Sequence, residues 1–294
     1  LELADGCLAV VVGNTHASSY AIGYVKYCPA SGATIWCGRG VCYERVVKHY
    51  ELREVYGYTP WRALVPCYGS TPPVIPYSAV KRVYDPLERA GELLSRVSDP
   101  LEKTALDMIE EILRGTGTLP GITGSLLPRI HSVDYSDVDL AVYGLRESAG
   151  VVEFIAENKS VFREFTGDKL REWCRRVASA TGLSTGDVEK LYRNWRRGLY
   201  GNREYSVVYN DKRASSVETE PAWQPLGVVE ARVEFLGGLS GLNYPSASRV
   251  GSYRVLGGVN PGGDPEYVLS FEALYTPLLY EGGWGVVRGL LQKS

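Results

Sequence analysis

The sequence lacks the features that mark membrane, secreted and zinc-stabilised proteins. Its longest apolar run, Cys7 to Val12, has six residues, whereas a membrane helix needs about 20. The N-terminus does not show the basic and then apolar order of a signal peptide. The six cysteines form no C-x-x-C pair of the kind found in zinc sites. We therefore expect a cytoplasmic protein without membrane spans, whose cysteines are reduced rather than disulfide-bonded.

The chain has the size and composition of a globular protein. Its 294 residues leave room for two or three domains, and 45% hydrophobic against 22% charged residues exclude a disordered chain. The net charge of −2 is unevenly distributed. Residues 159–213 carry 13 Lys and Arg against 7 Asp and Glu, a net +6, while both flanks are acidic. A basic middle segment indicates a phosphate-bearing partner.

The distribution of strand, helix and turn signals predicts an α+β protein of three parts. A β-rich N-terminal region covers residues 1–83, with strands at 7–12, 20–27 and 36–43 and a helical period at 45–55. Residues 84–213 alternate helices and strands. Residues 214–294 contain short β-rich runs separated by Gly-Gly turns, which predicts a small all-β domain, a barrel or a sandwich.

The central region contains well-marked helices and strands. Asp99 and Pro100 suit the N-cap and first turn of a helix that Gly115 and Gly117 end. Further helices are predicted at 84–97, 148–165, 168–181 and 185–197, and strands at 119–123, 138–143 and 205–209.

The segment from Gly121 to Gly144, GITGSLLPRIHSVDYSDVDLAVYG, carries the chemistry. Asp137 and Asp139 are two residues apart at a predicted strand, so both carboxylates project from one face. Paired carboxylates raise each other's pKa unless a cation separates them, and hard oxygen ligands suit Mg²⁺ or Mn²⁺. Upstream, Gly124 and Ser125 follow a strand and open a turn whose backbone N–H groups can bind phosphate. The alternative to a functional site is a solvated strand end that follows a tight turn.

This arrangement resembles the nucleotidyltransferase superfamily that includes the palm of DNA polymerase β. Its signature is Gly-Ser after a strand, followed by Asp-x-Asp on the next strand; here 11 residues separate Ser125 from Asp137. The wider layout looks like the archaeal predicted nucleotidyltransferases. The resemblance implies a central palm-like domain that transfers a nucleotidyl group from an NTP to an unidentified hydroxyl, with Mg²⁺ or Mn²⁺ held by Asp137 and Asp139. It also implies that Gly124 and Ser125 hold the β- and γ-phosphates.

The family pattern includes a third carboxylate on a later strand. Glu204, which opens the predicted strand Glu204–Tyr209, is our choice from the order of the strands. The alternatives are Asp211, just past that strand, and Glu230 or Glu234, which alternate on one face and equally suit a solvated barrel surface.

Basic residues supply the remaining candidates. Arg129 follows the phosphate turn and is a candidate NTP ligand, although a solvated loop arginine is the simpler reading. Arg193, Arg196 and Arg197 have the i, i+3, i+4 spacing of one helix face and are the candidate contacts to RNA phosphates. The equally supported alternative is that these arginines are solvated and that Trp195 belongs to the hydrophobic core. A second hypothesis follows: a nucleic-acid-binding module that keeps the palm fold without catalysis.

Overall fold

The computed structural model describes residues 1–47 and 52–293 and shows a mixed α+β protein. Its N-terminal part is a sheet with strand order β5-β6-β4-β2-β1-β8, in which β7 also pairs with β4. The predicted first two strands are confirmed as the antiparallel pair β2 and β4. Residues 48–51 of the predicted helical period at 45–55 lie outside the described residues, and a helix follows them. The elements are β1 (Glu2–Leu3), β2 (Leu8–Val11), β3 (Thr15–His16), β4 (Tyr20–Pro29), β5 (Trp36–Gly38), β6 (Val41–Arg45), α1 (Leu52–Tyr58), β7 (Val74–Pro76) and β8 (Val80–Arg82).

Four cysteines of this sheet are bonded, so the expectation of reduced cysteines is wrong for them. Cys7 is joined to Cys28 and Cys37 to Cys42, whereas Cys67 and Cys174 are free and buried. Strand pairing explains both disulfide bonds. Cys37 and Cys42 are directly paired in the β5–β6 hairpin. Cys7 immediately precedes Leu8 of β2, which is paired with Tyr27, the neighbour of Cys28. Disulfides are typical of oxidising compartments and of hyperthermophile cytosols, so the cytoplasmic location stays a prediction.

The central part is a five-stranded sheet, ordered β11-β12-β13-β10-β9, with helices around it. Strands β10 and β13 are parallel, and the other pairs are antiparallel. The capped helix at Asp99 is confirmed: its carboxylate accepts from the backbone N–H groups of Leu101 and Glu102 at 2.9 and 3.0 Å. The elements are α2 (Pro86–Ser95), α3 (Pro100–Thr116), β9 (Gly121–Ile122), β10 (Val138–Tyr143), α4 (Leu145–Glu157), β11 (Phe162–Arg163), α5 (Gly167–Thr181), α6 (Thr185–Leu191), β12 (Arg197–Tyr200) and β13 (Arg203–Asn210).

Alternation along β10 separates a buried face from an open one. Val138, Leu140 and Val142 are fully buried and belong to the main hydrophobic core, which α3 and α4 complete. Asp137 and Asp139 project to the other face, where they remain partly exposed. The core therefore fixes the strand, and the carboxylates lie on the side that the helices leave uncovered.

Two predicted helices are shorter than their sequence pattern. Helix α4 ends at Glu157, and α6 ends at Leu191 rather than near Arg197. Beyond α6, the Asn194 side-chain amide donates to the carbonyls of Ile155 and Phe162, both at 3.1 Å. This buried polar contact, together with burial of Trp195 in the core, holds the segment in a non-helical path.

The C-terminal part is an open antiparallel sheet in the described residues, with strand order β17-β16-β15-β18, so the predicted barrel is wrong. A helix covers one face instead: Leu279 of α7 packs on Ala231, Val233 and Phe235. Strand β14 pairs with β3, which ties the start of the C-terminal region to the N-terminal region. The elements are β14 (Ser215–Ser216), β15 (Gln224–Phe235), β16 (Ser246–Gly258), β17 (Tyr267–Ser270), α7 (Thr276–Glu281) and β18 (Gly283–Lys293).

Within the described ranges, no helix combines the length and the apolar character that a membrane crossing requires.

Candidate functional site

Asp137 and Asp139 lie at the start of β10 on the open face of the central sheet. Asp139 is paired in register with Ser206 of the parallel strand β13, and the Ser206 hydroxyl donates to one oxygen of the Asp139 carboxylate. The Asp139 backbone carbonyl accepts from the N–H of Thr123 at 2.9 Å. The second carboxylate oxygen of Asp139 points toward the Gly124 turn, so the two motif halves meet at this residue.

Glu204 reaches the same place from the neighbouring strand. Because Val138 pairs with Tyr205, the parallel register brings Glu204 beside Asp137. One guanidinium nitrogen of Arg197, Nη1, lies 3.7 Å from Asp137 Oδ2 and 3.5 Å from Glu204 Oε2. The Nζ of Lys169 lies 2.5 Å from the other oxygen of Glu204. The structure thus brings Asp137, Asp139 and Glu204 to one end of two parallel strands.

The other candidates for a third carboxylate lie elsewhere. Asp211 follows the opposite end of β13, where its backbone N–H donates to Asn243 at 2.9 Å. Glu230 and Glu234 belong to the C-terminal sheet, on the face opposite its hydrophobic core. Strand order therefore distinguishes Glu204 from these alternatives.

Gly124 lies directly against the Asp139 carboxylate. Its φ of +63° is in the left-handed region, and a Cβ built there would lie 2.1 Å from Asp139 Oδ2 and 2.9 Å from Asp139 Cβ. Any other residue at this position would displace the carboxylate or strain the backbone. The Asp139 carboxylate by itself therefore requires glycine at this turn, whether or not a ligand also approaches it.

Ser125 is buried behind the turn. Its hydroxyl donates to Ser136 Oγ at 3.2 Å, and Ser136 Oγ accepts from the N–H of Ser132 at 3.0 Å. The backbone carbonyl of Ser125 accepts from Ile130 at 3.0 Å. The Ser125 side chain therefore closes the connection between the Gly-Ser turn and Asp137, and its hydroxyl points away from the open face.

The carboxylate pair is electrostatically strained. Partial burial and the negative charge of Asp139 raise the pKa of Asp137 to about 6, while Arg197 and Lys26 oppose this rise. Its side chain is 38% exposed, so an approaching ion can reach it. Two carboxylates that repel each other and face solvent are the arrangement that a divalent cation stabilises.

Arg129 does not point freely toward the turn. It has a left-handed φ of +59°, and its Nη2 lies 2.8 Å from Glu92 of α2. The N-terminal sheet packs against its backbone: a Cβ at Gly38 would lie 1.9 Å from the Arg129 carbonyl oxygen. Arg129 is thus engaged in holding the loop between α2 and the N-terminal sheet.

A second acidic cluster, which the sequence analysis did not identify as a site, lies behind this loop. Ligand atoms of Asp99, Glu102 and His131 lie within 4.8 Å of one another, close enough to hold a metal ion. His131 Nε2 is 2.8 Å from Asp99 Oδ2, and Glu102 accepts from Arg89 and, at 2.8 Å, from the N–H of Ser98. Arg89 is 4% exposed and already provides a positive charge there. Of these residues, the sequence indicated a role only for Asp99, as the N-cap of α3.

The three arginines assigned to RNA do not form one surface, so the predicted helical face is wrong. Arg193 is paired with Glu281 of α7 at 2.6 Å. Arg196 is half-buried and donates to the backbone carbonyl of Val207. Arg197 opens β12 and contacts the carboxylates. Their common helical spacing was accidental, because α6 ends before them.

The donor set at Asp137 and Asp139 fits a hard divalent cation. All near ligands are oxygens of carboxylates and a hydroxyl, and the Gly124 turn lies directly against one carboxylate. Thiol and imidazole groups, which softer metals prefer, do not take part in these described contacts.

Compared with protein-family models, curated proteins and solved structures, the chain has no significant match. The resemblance to nucleotidyltransferases therefore depends on the motif residues, and the functional argument depends on how these residues are arranged in space.

Proposed function

We propose that this chain is a metal-dependent nucleotidyltransferase whose central region, residues 84–213, has the palm fold of the DNA polymerase β superfamily. The β-rich regions 1–83 and 214–294 flank it. One observation carries the proposal: Asp137, Asp139 and Glu204 converge at the same end of two adjacent parallel strands, with the Gly124 turn against Asp139.

In this proposal each motif residue has a distinct role. Asp137 and Asp139 hold Mg²⁺ or Mn²⁺, which stabilises charge on the attacking and leaving oxygens. Gly124 and Ser125 offer backbone N–H groups to the β- and γ-phosphates of the NTP. Arg129, being paired with Glu92, contributes by fixing the loop that carries this turn.

Glu204 serves the acceptor. Lys169 and Arg197 hold its carboxylate in place beside Asp137. In the transfer, the acceptor hydroxyl oxygen bonds to the α-phosphorus, and the bond from that phosphorus to the bridging oxygen breaks. Pyrophosphate leaves with the electron pair, and Glu204 takes the hydroxyl proton.

A non-catalytic nucleic-acid-binding module is the second candidate. The observation that favours it is the position of Arg197, whose guanidinium already lies between Asp137 and Glu204 and partly neutralises them. In such a protein the carboxylates would keep their arginine and bind no metal.

A metal titration separates the two candidates. Calorimetry with Mn²⁺ in the presence of each NTP should show binding to the wild-type protein and loss of at least about thirtyfold in affinity in Asp139→Asn. Asp107→Asn is the matched control, since it removes the same charge from an exposed side chain of α3 that pairs with Lys103.

Identical titrations of wild type and Asp139→Asn would exclude a metal site at the motif. Equal losses in Asp107→Asn and Asp139→Asn would exclude it as well, because the effect would then not be specific to the motif.

A further inference from the structure

Strand β18 is a long edge of the C-terminal sheet. It is the last strand in the order β17-β16-β15-β18, and among the described residues only β15 pairs with it. It has 11 residues, whereas the edge strands β5, β8, β9, β11 and β17 have two to four. Proteins keep free sheet edges short or charged, because an open row of backbone N–H and C=O groups pairs with other strands. The length of β18 therefore indicates that another strand pairs with it.

The side of β18 that faces away from β15 is open for most of its length. Apart from the ladder with β15, the backbone of Gly283–Lys293 makes no hydrogen bond to the described part of the chain. Near the C-terminal end of the strand, the Gln292 side-chain amide donates to the carbonyl of Tyr68 at 2.8 Å, which attaches this end to the N-terminal region. The free section is therefore residues 284–290.

Apolar side chains of this section face solvent. Val287 packs against the hydrophobic core of the sheet, so alternation places its even-numbered neighbours on the opposite face. On that face Trp284, Val286 and Leu290 are 52%, 63% and 50% exposed. Arg288 is the one charged residue of the section. The section thus lacks the several charges that keep a sheet edge from pairing.

The sequence of this section is complementary to itself when two copies run antiparallel. A twofold axis perpendicular to the sheet pairs each strand with its copy and keeps each face of the sheet on its own side. Residues of one face then pair with residues of the same face. With the axis at Val287, the pairs between the two copies are Trp284 with Leu290, Gly285 with Gly289, and Val286 with Arg288.

This register is better than its neighbours. An axis at Arg288 would place the two copies of Arg288 opposite each other, and like charges in direct cross-strand pairs are destabilising. An axis at Val286 would leave Leu290 opposite Gly282, which lies outside the strand. A shift by one residue would exchange the two faces. With the axis at Val287, the aromatic–aliphatic pair of Trp284 and Leu290 forms twice, once on each side of the axis, and such pairs stabilise sheets.

We infer that two copies of this chain pair through residues 284–290 of β18 and thereby join their C-terminal sheets into one sheet of eight strands. A second copy fits this edge because it supplies an apolar neighbour for Trp284 and for Leu290 and opposes no charge to Arg288. On the core face, Val287 meets its own copy, so the two hydrophobic cores become continuous through this residue. The inference is independent of nucleotidyl transfer, since β18 carries none of the motif residues.

Sedimentation velocity of the full chain tests this pairing. The wild-type protein should sediment as a dimer, with twice the 32.4 kDa mass of one chain. Val286→Lys should weaken dimerisation at least about tenfold, because each dimer then contains two lysine–arginine pairs with Arg288. Leu269→Lys is the matched control, since Leu269 is an exposed aliphatic residue on β17, the other edge of the same sheet. It should leave the dimer unchanged.

Two further variants test the register. Val286→Lys/Arg288→Glu should restore the dimer, because opposite charges then lie across the axis. Val287→Cys should form a disulfide-linked dimer on oxidation, since directly paired Cα atoms lie about 4.5–5.5 Å apart, whereas Val286→Cys should not. A wild-type monomer would overturn the inference and leave the edge to a strand of another protein. Equal effects of Val286→Lys and Leu269→Lys would overturn it too, and so would cross-linking through Val286→Cys instead of Val287→Cys.

Discussion

Two acidic clusters of this molecule have similar composition and opposite surroundings. Asp99 and Glu102 lie behind the Gly124–His131 loop, and their oxygens accept hydrogen bonds from backbone N–H groups, from His131 and from the buried Arg89. Asp137 and Asp139 lie on the open face of the sheet, where the pKa of Asp137 is raised. All four carboxylate oxygens of Asp99 and Glu102 accept hydrogen bonds, whereas the second cluster is short of positive charge.

We infer from this difference that the first cluster is structural, whereas the second is the functional site that we propose. The buried cluster joins α2, α3 and the loop, because Arg89 also donates to the carbonyl of Leu126 at 3.2 Å. It thereby fixes the turn that precedes Asp139. The open cluster has a charge imbalance that a ligand can relieve, and such imbalance is characteristic of functional sites.

Breaking the buried cluster should have the largest effect. Arg89→Met leaves the Glu102 carboxylate, 3% exposed, without its main partner, and loss of a buried partner costs about 3 kcal/mol or more. Urea denaturation should show this loss. Arg114→Met, which breaks the exposed pair with Glu111, should change the free energy of unfolding by under about 0.5 kcal/mol. Similar losses in both variants would contradict the structural role of the buried cluster.

The next effect concerns the turn beside the open cluster. Gly124→Ala should lower Mn²⁺ affinity about tenfold, which is about 1.4 kcal/mol, since its Cβ displaces the Asp139 carboxylate. Gly117→Ala is a matched control: Gly117 has a φ of +71° and open space around its Cβ position. Both variants should lose stability, but calorimetry should show the metal defect only in Gly124→Ala. Unchanged affinity there would separate the turn from the metal site.

Removing Arg197 from the cluster of Asp137 and Asp139 should have a smaller effect, an increase in metal affinity. Arg197→Gln should bind Mn²⁺ about fivefold more tightly, or about 1 kcal/mol, because the guanidinium no longer competes for Asp137 and Glu204. Arg193→Gln, whose arginine is paired with Glu281, should leave the affinity unchanged. Weaker metal binding in Arg197→Gln would mean that Arg197 supports the site rather than competes in it.

The smallest effect is a pH dependence of stability. Since the folded-state pKa of Asp137 is about 6 and lies above its ordinary value, ionisation of Asp137 destabilises the fold as the pH rises toward 6. Below about pH 3, which is under its ordinary pKa of 3.8, the group is neutral in both states and contributes nothing. Asp137→Asn should therefore be more stable than wild type by about 0.5–1 kcal/mol at pH 7.5, a value discounted because the side chain is 38% exposed.

The two proteins should converge near about pH 3 in urea denaturation, below both pKa values of Asp137. A constant difference at both pH values would show that the gain does not come from the charge of Asp137.

Local signals predicted the elements that hold the motif. The caps at Asp99 and Pro100 predicted α3, and the alternation of Val138, Leu140 and Val142 predicted β10 with both aspartates on the other face. These inferences succeed because caps and alternating burial are properties of neighbouring residues. Glu204 was chosen on strand order, and the parallel register of β13 places it beside Asp137, while its role as the third carboxylate stays a prediction.

Only the tertiary structure decided which side chains meet across the fold. The Cys37–Cys42 bond follows from strand pairing, the end of α6 from the buried amide of Asn194, and the open C-terminal sheet from the packing of α7. The sequence by itself determined the motif and the strand that carries it, because those depend on local spacing. Arg89 pairs with Glu102 in one acidic cluster, whereas the other cluster keeps an unbalanced negative charge. Both features depend on residues that are distant in sequence, so the fold alone decided them.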